Sequence, residues 1–313
     1  MIEIRDLVKV YGDKTAVDGI SFTVNKGEVL GFLGPNGAGK STTMNIITGY
    51  LSSTSGSVKV NGHDILEEPA EAKKCIGYLP EIPPLYPDMT VLEYLKFICD
   101  LKGVAKEGRK EMLASILAMV RITDVAERLI ANLSKGYKQR VGIAQALIGN
   151  PEILILDEPT VGLDPNQIIE IRKMIKHLAK DRTIILSSHI LSEVQAVCDR
   201  VVIINNGKLV AIDTINDLSN KINGTSKLIM CFKGPAEDVI RNLTNVAGVD
   251  SVELVASEDD IHKIEINSEN DDDGIDIRTR LFNSMAMAGW PVLEFRSKEL
   301  SLEEIFLKLT GEK

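Results

Sequence analysis

A chain of 313 residues exceeds the size at which a single hydrophobic core stops growing, so one large domain followed by a smaller one is expected. Hydrophobic residues make up 44 %, and a formal net charge of −9 is spread over both signs with no basic block, which excludes the clustered Lys and Arg of a nucleic-acid footprint. Met1-Ile2-Glu3-Ile4-Arg5-Asp6 is acidic where a signal peptide would be basic and then apolar, and no apolar run reaches the ~18 residues of a membrane span; the expectation is a chain that neither crosses a membrane nor is exported by that route.

Over residues 1–78, short alternating runs such as Ile2-Glu3-Ile4, Ile20-Ser21-Phe22-Thr23-Val24 and Val58-Lys59-Val60 are bounded by Asn25-Lys26-Gly27 and Asn61-Gly62. They predict half-buried strands, some antiparallel. Tyr11 closes the first; an aromatic there is either a core or edge residue or a ring that stacks on a purine. Glu28-Val29-Leu30-Gly31-Phe32-Leu33 then predicts a buried strand, and Thr43-Met44-Asn45-Ile46-Ile47 the first turns of a helix. Between them Gly34-Pro35-Asn36-Gly37-Ala38-Gly39-Lys40-Ser41-Thr42 matches G-x-x-x-x-G-K-[ST], a phosphate cradle in the strand-loop-helix context it requires. Its glycines let backbone N–H groups turn inward around an anion, and the helix behind adds the positive end of its dipole. Lys40 would reach the β- and γ-phosphates, and the Ser41 hydroxyl would ligate Mg²⁺. Kinases, GTPases, motors and transporter subunits share such a loop, so the loop alone does not choose among them.

The prolines of Gly77-Tyr78-Leu79-Pro80-Glu81-Ile82-Pro83-Pro84-Leu85-Tyr86-Pro87 forbid a regular element and stiffen a linker. Apolar residues at helical spacing over residues 89–149 then predict helices inserted into an α/β core. Within that block Leu133-Ser134-Lys135-Gly136-Tyr137 opens a helix; Ser134 is a helix cap, and the free N–H groups beside it form a second candidate anion site. The apolar run Ile153-Leu154-Ile155-Leu156 ends in Asp157-Glu158, as a buried parallel strand does when its C-terminal edge carries chemistry. A tight turn containing Asp164, a helix over about 166–180, a buried strand over 183–188 and then His189 follow; Asn205-Asn206-Gly207 signals a hairpin.

Gly and polar residues around 221–225 mark a domain boundary. Beyond it the pattern reads βαββαβ, the ferredoxin-like split arrangement, and a last helix opens at Ser301 with a capping box. Asp271-Asp272-Asp273-Gly274 reads as a solvated helix start, since its spacing is not an EF-hand loop. Cys75, Cys99, Cys198 and Cys231 show no C-x-x-C spacing and are expected to be core thiols in a reducing compartment.

Taken together, the loop, Ser134 and Gly136, the acid pair and His189, in this order, resemble the ATP-binding subunits of ABC transporters over about residues 1–220. The resemblance implies that Gly34, Asn36, Gly37, Ala38, Gly39, Lys40, Ser41 and Thr42 bind ATP, with Tyr11 against the adenine. It implies Mg²⁺ held by Ser41, Asp157 and Glu81, a general base in Glu158 and a γ-phosphate contact in His189. Leu133, Ser134, Gly136 and Tyr137 would serve the nucleotide of a second copy of the chain, and Asp164 would meet that copy. Three positions depart from the family's usual pattern: Lys135 and Tyr137 stand where Gly and Gln are common, and Glu81 stands where a glutamine is common. The last of these and the C-terminal domain resemble the drug-exporter-like branch, whose membrane permease is a separate polypeptide.

The expected fold is therefore an α/β P-loop ABC-type ATPase domain over 1–220, with an antiparallel β subdomain and a helical insertion at about 82–150. A small α+β domain follows over 221–313. The expected function is a Mg²⁺-dependent ATPase that homodimerises around ATP and drives a membrane permease, an exporter, from the cytoplasmic face of the cell membrane. Rival readings are a soluble ABC-type ATPase acting on nucleic acid or ribosomes, a non-hydrolysing subunit and a small-molecule kinase; no nucleic-acid partner is expected.

Overall fold

A computed structural model describes residues 1–188, 190–218, 225–269, 276–297 and 302–310. His189, the cluster at residues 271–274 and the predicted cap at Ser301 lie outside the described residues. The chain separates into two units, Met1–Ile215 and Asn216–Lys313, so the break falls a few residues before the expected boundary at 220.

In the first unit β1 (Ile2–Tyr11) and β2 (Lys14–Val24) form a long hairpin. β3 (Val29–Leu33) leads into α1 (Lys40–Ile47), and β4 (Ser55–Val60), β5 (His63–Asp64), α2 (Pro69–Lys74) and β6 (Ile76–Leu79) follow. The antiparallel sheet has the order β2-β1-β4-β5. Its alternating burial, with Ile2, Ile4, Ile20, Phe22, Val24, Val58 and Val60 inward, is the period-2 pattern of strands with one solvated face. Residues 80–90 hold no helix or strand, as four prolines without a backbone donor dictate. α3 (Val91–Leu101) opens with a full capping box between Thr90 and Glu93. α4 (Arg109–Met119) and α5 (Lys135–Leu147) complete the helical layer.

The second half of this unit alternates β7 (Ile153–Asp157), α6 (Pro165–Leu178), β8 (Thr183–Ser187) and α7 (Leu191–Val197), then closes with the hairpin β9 (Arg200–Asn205) and β10 (Lys208–Asp213). That hairpin turns through Asn206 and Gly207 at φ 49 and 77, the left-handed pair a two-residue turn requires. The larger sheet runs β10-β9-β3-β8-β7-β6, with every pair parallel except β9 with β10. Every residue of β3, β7 and β8 is buried, as expected for strands covered on both faces. One core lies between this sheet and α3 to α6; the other joins its opposite face to α1 and the antiparallel sheet. Each fully buried Leu or Ile in them contributes about 1.5–3 kcal/mol. The C-terminal ends of β3, β7 and β8 thereby meet at one edge, where the loop before α1 and the acid pair emerge.

The second unit orders β11 (Thr225–Lys233), α8 (Ala236–Thr244), β12 (Val249–Glu258), β13 (Ile261–Glu269), α9 (Ile277–Met287) and β14 (Val292–Ser297). Its antiparallel sheet, β12-β13-β11-β14, has the split βαββαβ topology, with Val239, Leu243, Leu281 and Met285 of the helices in its core. α10 (Leu302–Thr310) buries Leu302, Ile305 and Phe306 at helical spacing. The cysteines correct one expectation. All four are free, but only Cys99 is buried; Cys75, Cys198 and Cys231 are half-buried.

Candidate active site

β3 delivers the chain at Gly34 into a loop that ends where α1 starts. Gly39 caps α1 at φ 106 with no side-chain cap, so the first N–H groups of the helix are left for another acceptor. Lys40 folds back over the loop and donates from Nζ to the carbonyls of Gly34 at 2.7 Å and Pro35 at 3.2 Å. Burial lowers its pKa, opposed by the carboxylates of Glu158, Asp157 and Glu81 in that order. A cavity of about 470 Å³ opens above the loop, lined by Asn36, Gly37, Gly39, Lys40, Ser41 and Thr42 and, from other elements, by Tyr11, Lys14, Ala16, Glu81 and Glu158. Gly34 and Ala38 do not line it; both are buried and shape the turn, Ala38 donating to the Pro35 carbonyl at 3.1 Å.

The acids sit where β7 ends beside β8. Asp157 is 3 % exposed and pairs in register with Ser187, whose hydroxyl donates to its Oδ1. Burial is the largest influence on Asp157 and raises its pKa; Glu81 raises it further, while hydrogen bonds from Ser187 and Ser41 and the Lys40 charge lower it. Glu158 has φ 49, a left-handed backbone that an ordinary residue avoids, and Pro159 after it narrows its options further. Its amide donates both to the Ser187 carbonyl and to the Ser187 hydroxyl at 3.2 Å. Backbone strain of about 1–3 kcal/mol persists only where the surroundings enforce it, and it clusters at functional positions.

Four oxygen-bearing side chains, Ser41, Glu81, Asp157 and Glu158, thus approach a loop rich in N–H donors. That donor set suits an anionic phosphate chain and a hard divalent cation rather than a soft metal. Among the described residues no three His, Cys, Asp or Glu side chains cluster tightly enough to hold an ion by themselves. A small hard cation that keeps water and phosphate oxygens as ligands needs no such cluster.

A second group of predicted residues lies elsewhere. Ser134 caps α5, accepting the Tyr137 amide at 3.4 Å, and Leu133 before it is buried. The Tyr137 hydroxyl donates to Asp124 at 2.9 Å. Asp164 caps α6 by accepting the Gln167 amide at 3.0 Å. Gly136 faces the Gln167 side chain so closely that a Cβ would lie 2.6 Å from its carboxamide oxygen. Leu133, Ser134, Gly136, Tyr137 and Asp164 line no part of the cavity above the loop in the same chain. Sequence reasoning missed Lys14 and Ala16, which the β1-β2 hairpin carries to the cavity, and the role of Ser187. The signal for Lys14 was its place three residues after Tyr11.

Residues 17–161 match the profile of the family described as ABC transporter. The linearmycin resistance ATP-binding protein LnrL of Bacillus subtilis is 37 % identical, over 99 % of this chain and 98 % of its own. The bacitracin transport ATP-binding protein BcrA of Bacillus licheniformis is 35 % identical, over 99 % of this chain and 97 % of its own. A solved dimeric ATP-binding cassette in a post-hydrolysis state, bound to ADP and Pi, superposes with a TM-score of 0.63 at 26 % identity, over 68 % of this chain and 98 % of that one. The loop, the parallel sheet that carries it and these full-length likenesses lead to one conclusion: this chain belongs to the ABC transporter family, as an ATP-binding subunit with an ATPase domain.

Proposed function

We propose that two copies of this chain close around Mg²⁺ and ATP and that hydrolysis there drives a separate membrane permease, in the export direction, from the cytoplasmic face of the cell membrane. The observation that carries the reading is that Glu158 shares one cavity with Lys40, Ser41 and the loop amides. The N–H groups of the loop and the Lys40 ammonium hold the β- and γ-phosphates, and Tyr11 lies against the adenine. Ser41, Glu81 and Asp157 would hold Mg²⁺, which would supply charge neutralisation to the phosphate oxygens. Glu158 accepts the proton of the attacking water, and His189 donates to the γ-phosphate. Ser134 and Gly136 complete the site from the partner copy, with Asp164 at the interface, which accords with their position outside the cavity of their own chain.

Two further observations support the permease and the direction. Ile82 and Tyr50 are 82 % and 77 % exposed beside a cavity of about 520 Å³ lined by Tyr78, Pro80 and Pro84, next to Glu81. Apolar side chains clustered at a surface mark a partner site, and this one adjoins a cation ligand. The relatives named for linearmycin resistance and bacitracin transport align over 98 % and 97 % of their own length, and export of a compound from the cell accords with both names.

Glu158→Gln tests the chemistry. The variant should bind ATP and lose about 10²–10⁴-fold in turnover if Glu158 is the base. Unchanged turnover rejects that role. For the dimer, a Ser134→Ala chain and a Lys40→Ala chain, each inactive alone, should regain activity when mixed, because one site then has both an intact loop and an intact partner cap. Absence of recovery rejects the shared site.

A further inference from the structure

Glu193, in the first turn of α7, is 2 % exposed and has no part in the reading above. Its Oε2 accepts the Thr160 hydroxyl, two residues beyond Glu158. The same oxygen accepts the Ser188 hydroxyl at 3.5 Å, one residue beyond Ser187. Among the described residues its Oε1 has no hydrogen-bond partner, and the Arg172 guanidinium on α6 stands 3.9 Å away with its own Nε buried and unpaired. Burying a carboxylate with one oxygen held only by a 3.9 Å ion pair and no hydrogen bond disfavours the folded state, so packing alone gives no reason for an acid here.

The location gives one. Glu158 holds a left-handed backbone that its surroundings must enforce. From one side Ser187 does so through the Glu158 amide. From the other the turn is closed by Val161 donating to the Glu158 carbonyl at 3.2 Å and Leu163 to the Thr160 carbonyl at 3.1 Å, and Thr160 is tied to Glu193. We propose that Glu193 is a positioning residue for hydrolysis: by accepting from Thr160 and Ser188 it pins the chain ends that leave β7 and β8 and so aims the Glu158 carboxylate. This rests on Glu158 being the base. Arg172, 3.9 Å from Glu193 Oε1, stands on the helix that Asp164 opens, so α6 shares the same anchor.

The test uses the full chain with Glu193→Ala, Glu193→Gln, Thr160→Val and the Glu193→Ala/Thr160→Val pair, measuring kcat and KM for ATP and the Kd for ADP. A positioning role predicts that Glu193→Ala loses about 10²-fold in kcat, the scale of a small misplacement of a reacting group, with KM and the ADP Kd within about threefold. Glu193→Gln keeps an amide oxygen for both hydroxyls and should recover most of kcat. The double variant should be no slower than Glu193→Ala, because both changes break one link. Wild-type kcat in Glu193→Ala, multiplicative losses in the double variant, or a rise in KM alone would overturn the proposal. If Glu193→Ala does not fold, Glu193→Gln and Thr160→Val decide it: Thr160→Val must be slowed with KM unchanged while Glu193→Gln is near wild type, and the reverse order refutes it. Glu158→Gln is run beside them. A normal rate there sinks the base assignment, whereas an inactive Glu158→Gln beside a normal Glu193→Ala sinks only the role of Glu193.

Discussion

The amide of Glu158 is held twice by Ser187, donating at 3.2 Å to its carbonyl and at 3.2 Å to its hydroxyl, and that hydroxyl in turn donates to Asp157. One residue at the end of β8 therefore holds both acids, Asp157 at the end of β7 and Glu158 just beyond it. Ser187→Ala leaves a buried Asp157 oxygen without its donor, a loss of about 1–3 kcal/mol in stability. Turnover should fall by about tenfold while the ADP Kd stays within about threefold, since the loop that holds phosphate is untouched. Loss of ADP affinity with normal turnover is the contrary result.

Two glycines of the loop should respond differently to alanine. A Cβ at Gly39 would lie 2.5 Å from the backbone oxygen of Ala16, at φ 106, so Gly39→Ala strains the backbone and pushes α1 from β2. Gly37, at φ 81, has no atom within 4 Å of the same position. Gly37→Ala therefore carries only the left-handed penalty of about 1–2 kcal/mol and should fold. It should still lose ATP affinity, because Gly37 lines the cavity and the new methyl adds bulk in the open space beside the loop. Thermal melts with and without ATP separate the two; equal melting points for both variants would contradict this.

Tyr11 is 45 % exposed, with the Lys9 ammonium 5.2 Å from its ring centre, so it contributes little to the core. If it stacks on adenine, Tyr11→Ala should raise the ATP Kd by an amount worth about 1–3 kcal/mol with an unchanged melting point, and Tyr11→Phe should restore binding. An equal drop in affinity for both would instead assign the contact to the hydroxyl.

The features legible in the sequence are those written locally. The run into Gly34, the Lys40-Ser41 step and the helix after it specify the loop within about twenty neighbouring residues, and the apolar run into Asp157 announces a buried strand by itself. The split order of the second unit follows from alternation and turn signals in the same way. What was not legible depends on partners distant in sequence. Ser187 and Glu193 act on residues 29 to 33 positions away, through adjacency of β7 and β8 that no local pattern states. The cysteine expectation held for Cys99 and fell short at the other three for a related reason. Cys75 and Cys198 cap the ends of α2 and α7 at the margins of the two cores, half-buried against them, and Cys231 alternates with the buried Met230 and Phe232 on the outward face of its strand.

Asp157→Asn should make the nucleotide-free protein more stable while removing its activity. Burial, the largest influence, raises the Asp157 pKa above its ordinary 3.8. Between that value and the raised one the folded chain keeps a proton that the unfolded chain has lost, so stability falls as pH rises through this window, and the penalty is complete above it. Asparagine keeps an oxygen for the Ser187 hydroxyl without the charge, and Lys40 retains Glu158, its strongest counter-charge. At pH 7 the variant should melt higher than wild type, by about 2–4 °C for each kcal/mol relieved. As pH falls through the raised value toward 3.8 the two should converge, because the folded wild type then takes up the proton that relieves the buried charge. ATP with Mg²⁺ should raise the melting point of wild type more than that of the variant, since the bound cation is what the buried charge serves. A variant less stable than wild type at pH 7, or a difference that does not shrink toward pH 4, would show that Asp157 is stabilised by its neighbours rather than held against the cost of burial.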